Sequence, residues 1–316
     1  MFRFVTRRLI FSLPILWGVA SIVFIALRML PGDPAVAILG DQATAESLSV
    51  LRHRLGLDVP IIPQYINYLS LLLRGDLGHS LLNNEAVSRL IWRNLPYTAE
   101  LTVGAIFVAC LLGIPIGMLS AVKRNTAVDR LARILALTGV ATPAFYAGVV
   151  LLIVFSLQLG WFPVMGVGEL SRPLDHIHYS VLPSVSVGCV IAGSIMRISR
   201  SSILDVLGED YIRTARSKGL RESAVLYKHA LRNAMIPIVT VIGFNMGILL
   251  GGVVAVEKVF NRPGLGSLLV SSIYGRDYPT IQSTLVIFAI VVICVNLMTD
   301  LTYVLLDPRI RYGKKR

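Results

Sequence analysis

Apolar residues fall along this 316-residue chain in long blocks separated by polar stretches. The first block runs from Leu9 to Leu30 and is interrupted only by Arg28. Five more cover about Thr98 to Val122, Leu131 to Leu159, Val181 to Ile198, Ala234 to Val256 and Ile281 to Leu306. About 20 apolar residues suffice for a helix to cross hydrocarbon, so the pattern predicts an all-α membrane protein with six transmembrane helices. Pro14, Pro115, Pro143 and Pro183 lie in or beside these blocks, where neighbouring helices can satisfy the carbonyls a proline frees. The basic start, Met1 to Arg8, resembles a secretory leader. The apolar run behind it is too long for one and no Ala-x-Ala site follows, so an uncleaved first helix is expected, ending at Pro31-Gly-Asp-Pro34.

Two polar stretches stand out between the blocks. From Ala35 to Pro96 charges are scattered among short amphipathic patches, punctuated by Pro60, Pro63 and Gly75-Asp-Leu-Gly78. No window there is long enough to span, so the stretch reads as an ordered insertion outside the membrane. The second, Ser199 to Ile238, is basic and helical in period on both sides of Gly219. Gly208 and Gly219 divide it into three short helical pieces, glycine being the residue that turns a chain at little steric cost. Glu209 and Asp210 open the middle piece, where carboxylates complement a helix N-terminus. Tyr211, Ile212, Ala215 and Gly219 then share one side, with Arg213, Arg216 and Lys218 elsewhere. Such a helix fits a groove in another protein; equally, it fits the surface of an anionic bilayer.

Composition agrees with the block pattern. Hydrophobic residues make up 55% and charged residues 15%, with mean hydropathy +0.72, whereas soluble domains carry about 25% charged residues. The net charge of +12 suggests a nucleic-acid partner only until its distribution is considered. With the N-terminus inside, 20 of the 30 Lys and Arg fall on that side, while the other side holds 11 of the 18 acids and is near neutral. The positive-inside rule then places both termini and the Ser199 to Ile238 stretch in the cytoplasm, and Ala35 to Pro96 outside. The charge is a topology signal, and no nucleic acid is needed to explain it.

Candidate chemistry is sparse. Cys110, Cys189 and Cys294 lie in apolar runs and read as packing residues, with no disulfide framework. His176 and His178 with Asp175 are too few for a metal site and read as a solvated loop. No phosphate-binding G-x-x-x-x-G-K-[ST] loop occurs. No intramembrane carboxylate pair or histidine chain is expected, which argues against a proton-driven carrier. Gly243, Gly247 and Gly251 repeat at four-residue spacing and bring helix backbones together, against a partner, along a path or within the chain. Asn245 and Asn296 are polar groups that should face protein or water.

The second stretch resembles the cytoplasmic coupling loop of ABC-importer permeases, with Arg213-Thr-Ala215 at the place of the family's EAA triplet and Gly219 four residues later. Glu209-Asp-Tyr-Ile-Arg-Thr-Ala-Arg-Ser-Lys-Gly219 followed by His229-Ala-Leu-Arg-Asn-Ala-Met-Ile-Pro237 is similar, more narrowly, to permeases for dipeptides, oligopeptides, glutathione and nickel. Pro31-Gly-Asp-Pro34, Leu55-Gly-Leu-Asp58, Gly75-Asp-Leu-Gly78, Val256 to Gly266, Arg276-Asp-Tyr-Pro279 and Asp307-Pro-Arg-Ile-Arg311 extend the resemblance over almost the whole chain. It implies a non-catalytic subunit of the bacterial inner membrane, paired with a homologous permease, two ATPases that hold the ATP and magnesium, and an external binding protein. It also implies ATPase-coupling roles for Glu209, Asp210, Tyr211, Arg213, Ala215, Lys218 and Gly219. Small peptides are the implied substrates, with nickel or a metal chelate as the alternative. The chain then divides into residues 1–30, an insertion at 31–97, a five-helix core at 98–306 with the coupling loop at 199–233, and a basic tail at 307–316. A reporter active only outside the cell is expected to work when fused after Gly78 and to be silent after Arg221; the reverse pattern in a fusion assay inverts the topology.

Overall fold

The computed structural model describes residues 2–29, 35–36, 44–54, 58–169 and 171–306. The Pro31 to Pro34 motif, residues 55–57 of the Leu55 motif and the tail from Asp307 lie outside the described residues. In chain order the helices are α1 (Phe2–Met29), α2 (Ala45–Arg54), α3 (Ile61–Leu73), α4 (Val87–Val122), α5 (Ala127–Ala141) and α6 (Ala144–Leu151), the last continued by a π-helix over Leu152–Gln158. They are followed by α7 (Pro173–Leu207), α8 (Asp210–Ser217) and the short α9 (Glu222–Ala224), which a π-helix over Val225–Leu231 joins to α10 (Arg232–Val259). Two more, α11 (Leu265–Tyr274) and α12 (Tyr278–Leu306), complete the fold.

Four described helices are long and apolar enough to cross a membrane, at Val5–Met29, Val87–Val122, Pro173–Leu207 and Tyr278–Thr302. The block expected as one span from Leu131 to Leu159 is instead a pair, α5 and α6, bent by 104°. The cause is Thr142-Pro143: a residue before proline is forced out of the helical region, and both adopt extended ψ values of 124° and 136°. Counting the bent pair as one gives five spans. The fifth expected block is a helix, α10, but it is not among those that qualify, so among the described residues the count of six is not reached.

Helix ends also differ from the apolar blocks. The second block begins 11 residues early, since α4 starts at Val87 and carries Pro96 within it. The fourth block sits inside the 35-residue α7, which takes in His176 and His178 at one end and the first expected piece of the polar stretch at the other. Hydrophobicity marks where a helix meets lipid, and the hydrogen-bond ladder continues past that boundary wherever no breaker intervenes.

The chain forms two compact units. One comprises Met1–Tyr97 and Pro263–Ile293. In it α3 lies on α1 through Phe24, whose buried ring meets Tyr65 and Tyr68 at centroid distances of 5.3 and 5.6 Å. The Tyr65 and Ser21 hydroxyls meet at 2.6 Å. Away from this contact α3 exposes Ile62, Ile66 and Leu73. Buried Asp277 of the Arg276 to Pro279 motif is bonded in this unit to residues just beyond the Gly75 to Gly78 motif, some 200 positions away. Its Oδ2 accepts from the Ser80 and Thr280 hydroxyls at 2.5 and 2.7 Å, and its Oδ1 accepts from the Leu81 amide at 3.0 Å.

The other unit comprises Thr98–Arg262 and Cys294–Arg316 and is built around α7. Its core holds Leu101, Ala105 and Ala109 of α4, Leu182, Val187, Ile191 and Ile195 of α7, and Ile238, Val253 and Val256 of α10. Small residues let backbones touch. A Cβ added at Gly193 of α7 would lie 2.4 Å from the Ala136 carbonyl oxygen, one at Gly117 of α4 2.6 Å from the Met196 oxygen, and one at Gly188 2.7 Å from Val108 Cβ. Of the cysteines, Cys110 is half-buried, while Cys189 and Cys294 are exposed and so do not pack as expected. Gly193→Ala is expected to cost about 1–3 kcal/mol by overpacking, read as a lower unfolding temperature in detergent. Gly18→Ala, where an added Cβ meets nothing within 4 Å, is expected to be neutral.

Candidate functional site

The short helix α8 follows α7 after only Gly208 and Glu209. Gly208 is helical in conformation (φ −78°), so it ends α7 without a sharp turn. Gly219 does turn the chain: its φ is +74°, a region that strains any residue with a side chain, and open space surrounds it. Glu209 has an extended backbone at the N-cap, and Asp210 and Arg213 pair at 3.5 Å while both remain largely exposed, a contact of little energetic weight.

One face of α8 is buried in its own chain. Ile212 and Ala215 pack against Val225 and Ala230, with Val206 and Leu207 of α7 alongside. The Asn233 side-chain amide donates to the Tyr211 hydroxyl at 2.8 Å. Arg216 donates twice to Glu222, at 2.6 and 3.1 Å, and holds that carboxyl below its usual range. Both partners are about half exposed, so the pair contributes at most about 1 kcal/mol. That contribution is present above the ordinary glutamate range and is lost as pH falls through the lowered value. Glu209, Asp210, Tyr211, Arg213, Lys218 and Gly219 are exposed. Of the residues assigned to coupling, Ala215 alone is turned inward, so its small side chain is explained by its contact with the π-helical segment. The helical path from Glu222 to Val259 is continuous, so α8 is fastened to the rod that contains α10 and to the end of α7.

α7 is also pinned at two places by buried charge. Near its end, Arg200 donates to Asp129 at 2.7 and 2.9 Å; Asp129 is wholly buried and also accepts from Ser120 and the Asn125 amide. At its start, Glu100 of α4 meets His176 Nε2 at 2.8 Å, accepts from the Ser180 hydroxyl and accepts from Arg262 at 3.2 Å. Arg262 is 1% exposed and also donates to the Tyr179 carbonyl; nearby in sequence, buried Glu257 accepts from Thr98 at 2.6 Å. His178 donates to the Trp161 carbonyl, so the two histidines have separate partners and neither belongs to a solvated loop. α7 overruns its apolar block, and this brings His176 to Glu100. Asp129, Arg200 and Glu100 were missed because their partners are 71 to 76 positions away. Lone acids inside or beside apolar runs were the available signal.

The glycine and asparagine residues of α10 have distinct surroundings. Gly243 is buried against Thr299, whose Cγ2 would be 2.0 Å from an added Cβ; packing within the chain thus accounts for this glycine. A Cβ at Gly247 would meet Asn296 Oδ1 at 3.7 Å. Asn245 donates to Ser194 at 3.3 Å and to the Val241 carbonyl at 2.7 Å, while Asn296 is exposed. The surroundings of Gly251 lie outside the described residues.

Membrane-crossing helices packed through small residues, with a polar helix fastened to the end of one of them, define a multi-pass membrane protein. Residues 113–312 match the family model for the binding-protein-dependent transport system inner membrane component, and residues 1–102 match the model for the N-terminal part of such components. The chain belongs to this family, the permease subunits of ABC importers. The glutathione transport system permease protein GsiC of Salmonella typhimurium is 44% identical over 312 residues, covering 99% of this chain and 100% of the relative. The protein of that name from Escherichia coli K12 is 43% identical with the same coverage. Among solved structures, an inward-facing form of the MetNI methionine ABC transporter resembles the chain in fold, with a TM-score of 0.56 at 19% identity over 69% of this chain and 96% of that one. Ala215→Leu is expected to overpack the α8 anchor by about 1–3 kcal/mol and to speed hydrogen exchange across 210–217. Arg213→Ala should leave that exchange unchanged.

Proposed function

We propose that this chain forms, with a homologous permease, the membrane path of an importer for small peptides, glutathione among them. Two ATPase subunits bind ATP and magnesium and drive the cycle, and an external binding protein delivers the substrate. The chain itself performs no catalysis and needs no cofactor or nucleic acid. It lies in the bacterial inner membrane with both termini in the cytoplasm. The substrate reading is supported by the name of relatives that are 44% identical over their whole length.

The observation that carries the mechanical part is the two-sided character of α8. Its buried side is fastened to the end of α7 and the rod leading into α10, while its exposed side presents Glu209, Asp210, Tyr211, Arg213 and Lys218. In this reading the exposed side seats in an ATPase, and closure of the ATPase pair pulls on both helices through the buried side. Gly219 supplies the turn that lets the chain leave the seat.

The test is reconstitution of the four membrane and ATPase subunits with the binding protein in vesicles. Wild-type complex is expected to take up glutathione or dipeptide with ATP hydrolysis stimulated by the loaded binding protein. Arg213→Glu together with Lys218→Glu should lower uptake and stimulation about ten-fold or more, since like charges across a contact cost several kcal/mol, while assembly of the two permeases persists. Nickel uptake without peptide uptake would replace the substrate reading, and full stimulation in the doubly reversed variant would remove α8 from the ATPase contact.

A further inference from the structure

Arg28, the charge that interrupts the first apolar block, has no part in the coupling assignment. It lies in the last turn of α1. Its Nε and Nη2 both donate to Gln64 Oε1, at 3.2 and 3.0 Å, and its guanidinium carbon stands 3.9 Å from the centre of the Phe24 ring. Among the described residues no carboxylate lies within ion-pair distance, and Nη1 has no hydrogen-bond partner. Among the described residues the charge is therefore held by one neutral amide oxygen and one ring face.

A cavity of about 430 Å³ opens beside it, lined by α1, α3, the Asp76 turn and α12. Two further side chains in its lining, Tyr68 and Gln282, also hold buried polar atoms without partners, the Tyr68 hydroxyl and the Gln282 amide nitrogen. An unmade buried hydrogen bond costs about 1–3 kcal/mol, so three around one cavity are a consistent demand for acceptors. All three are shielded from bulk water, and each belongs to a side chain in the cavity's lining. Burial pushes the Tyr68 phenol up to about 12, which keeps it a donor. Among the described lining residues the one carboxylate, Asp76, is exposed and occupied in accepting from the Gly78 amide at 2.9 Å. A guanidinium with no carboxylate partner among the described residues, beside two neutral donors, matches a group that carries negative charge on several oxygens, and such charge-assisted bonds are about twice as strong as neutral ones.

We propose that this cavity binds a phosphate-type oxyanion between Arg28, Tyr68 and Gln282, supplied by a phospholipid head group. The flanking surfaces favour lipid as the source over free phosphate. Met29 at the end of α1 is 78% exposed, and Ile62 and Ile66 of α3 are 68% and 60% exposed. An apolar outer face on a helix whose other side walls a cationic cavity is the arrangement of the boundary between hydrocarbon and head groups.

The experiment uses the assembled complex, stripped of lipid in mild detergent and titrated with dioctanoyl phosphatidylglycerol, dioctanoylglycerol or inorganic phosphate. Unfolding temperature and native mass spectrometry are the readouts. Wild type is expected to bind and be stabilised by phosphatidylglycerol and not by the phosphate-free glyceride. Arg28→Gln should weaken that response about ten-fold. Tyr68→Phe and Gln282→Leu, milder changes that keep the fold measurable, should weaken it a few-fold. Saturable stabilisation by inorganic phosphate, lost in the same variants, would retain the oxyanion site and move its source to the soluble anion. Equal responses of wild type and all three variants to every probe would overturn the proposal.

Discussion

Everything in the larger unit depends on how closely helix backbones approach along α7. Hydrocarbon offers two apolar helices no gain for leaving it, so contact must come from van der Waals packing and hydrogen bonds between surfaces that fit. Gly188 and Gly193 of α7 and Gly117 of α4 supply that fit, each standing where an added methyl would collide with a neighbour. Once α7 is seated, its two ends become fixed points: Glu100 and Arg262 hold one, and Asp129 holds Arg200 near the other. A strut pinned in two places moves as a body. The polar helix that follows it after two residues inherits that rigidity.

The helical character, the apolar blocks and the position of the polar helix are legible in the sequence, since each is written in local composition and period. Helix ends are not. α7 runs from Pro173 to Leu207 while its apolar block covers about half of that, because nothing between 199 and 207 breaks a helix. The break that does occur, at Thr142-Pro143, lay inside a block whose hydropathy is continuous, and only the local geometry of proline betrays it. Ala215 was placed on the correct helix and matched to the family's motif, but what its face packs against depends on Val225 and Ala230, beyond the turn. Partners such as Glu100 and His176 could not be paired by period at all.

The scattered motifs acquire a common physical sense. Gly75 to Gly78 and Arg276 to Pro279 look weak alone because each is half of a contact: Asp277 needs the Ser80 hydroxyl and the Leu81 amide, and the turn needs a carboxylate. In the other unit, the run from Val256 carries Glu257 and Arg262, whose partners Thr98, Glu100 and Tyr179 lie far off in sequence. Short polar strings in such a chain are addresses for residues far off in sequence, and only the fold delivers them.

The division of α8 into an anchored face and an open face has a consequence for how such machines diversify. Ile212 and Ala215 answer to the permease's own interior, whereas the residues between them answer only to whatever meets them from outside. The two demands fall on different positions, so a change of outside partner and a change of inside packing can be accumulated independently. A helix of eight residues is in this sense a plug whose pins can be redrawn without rewiring the socket behind it.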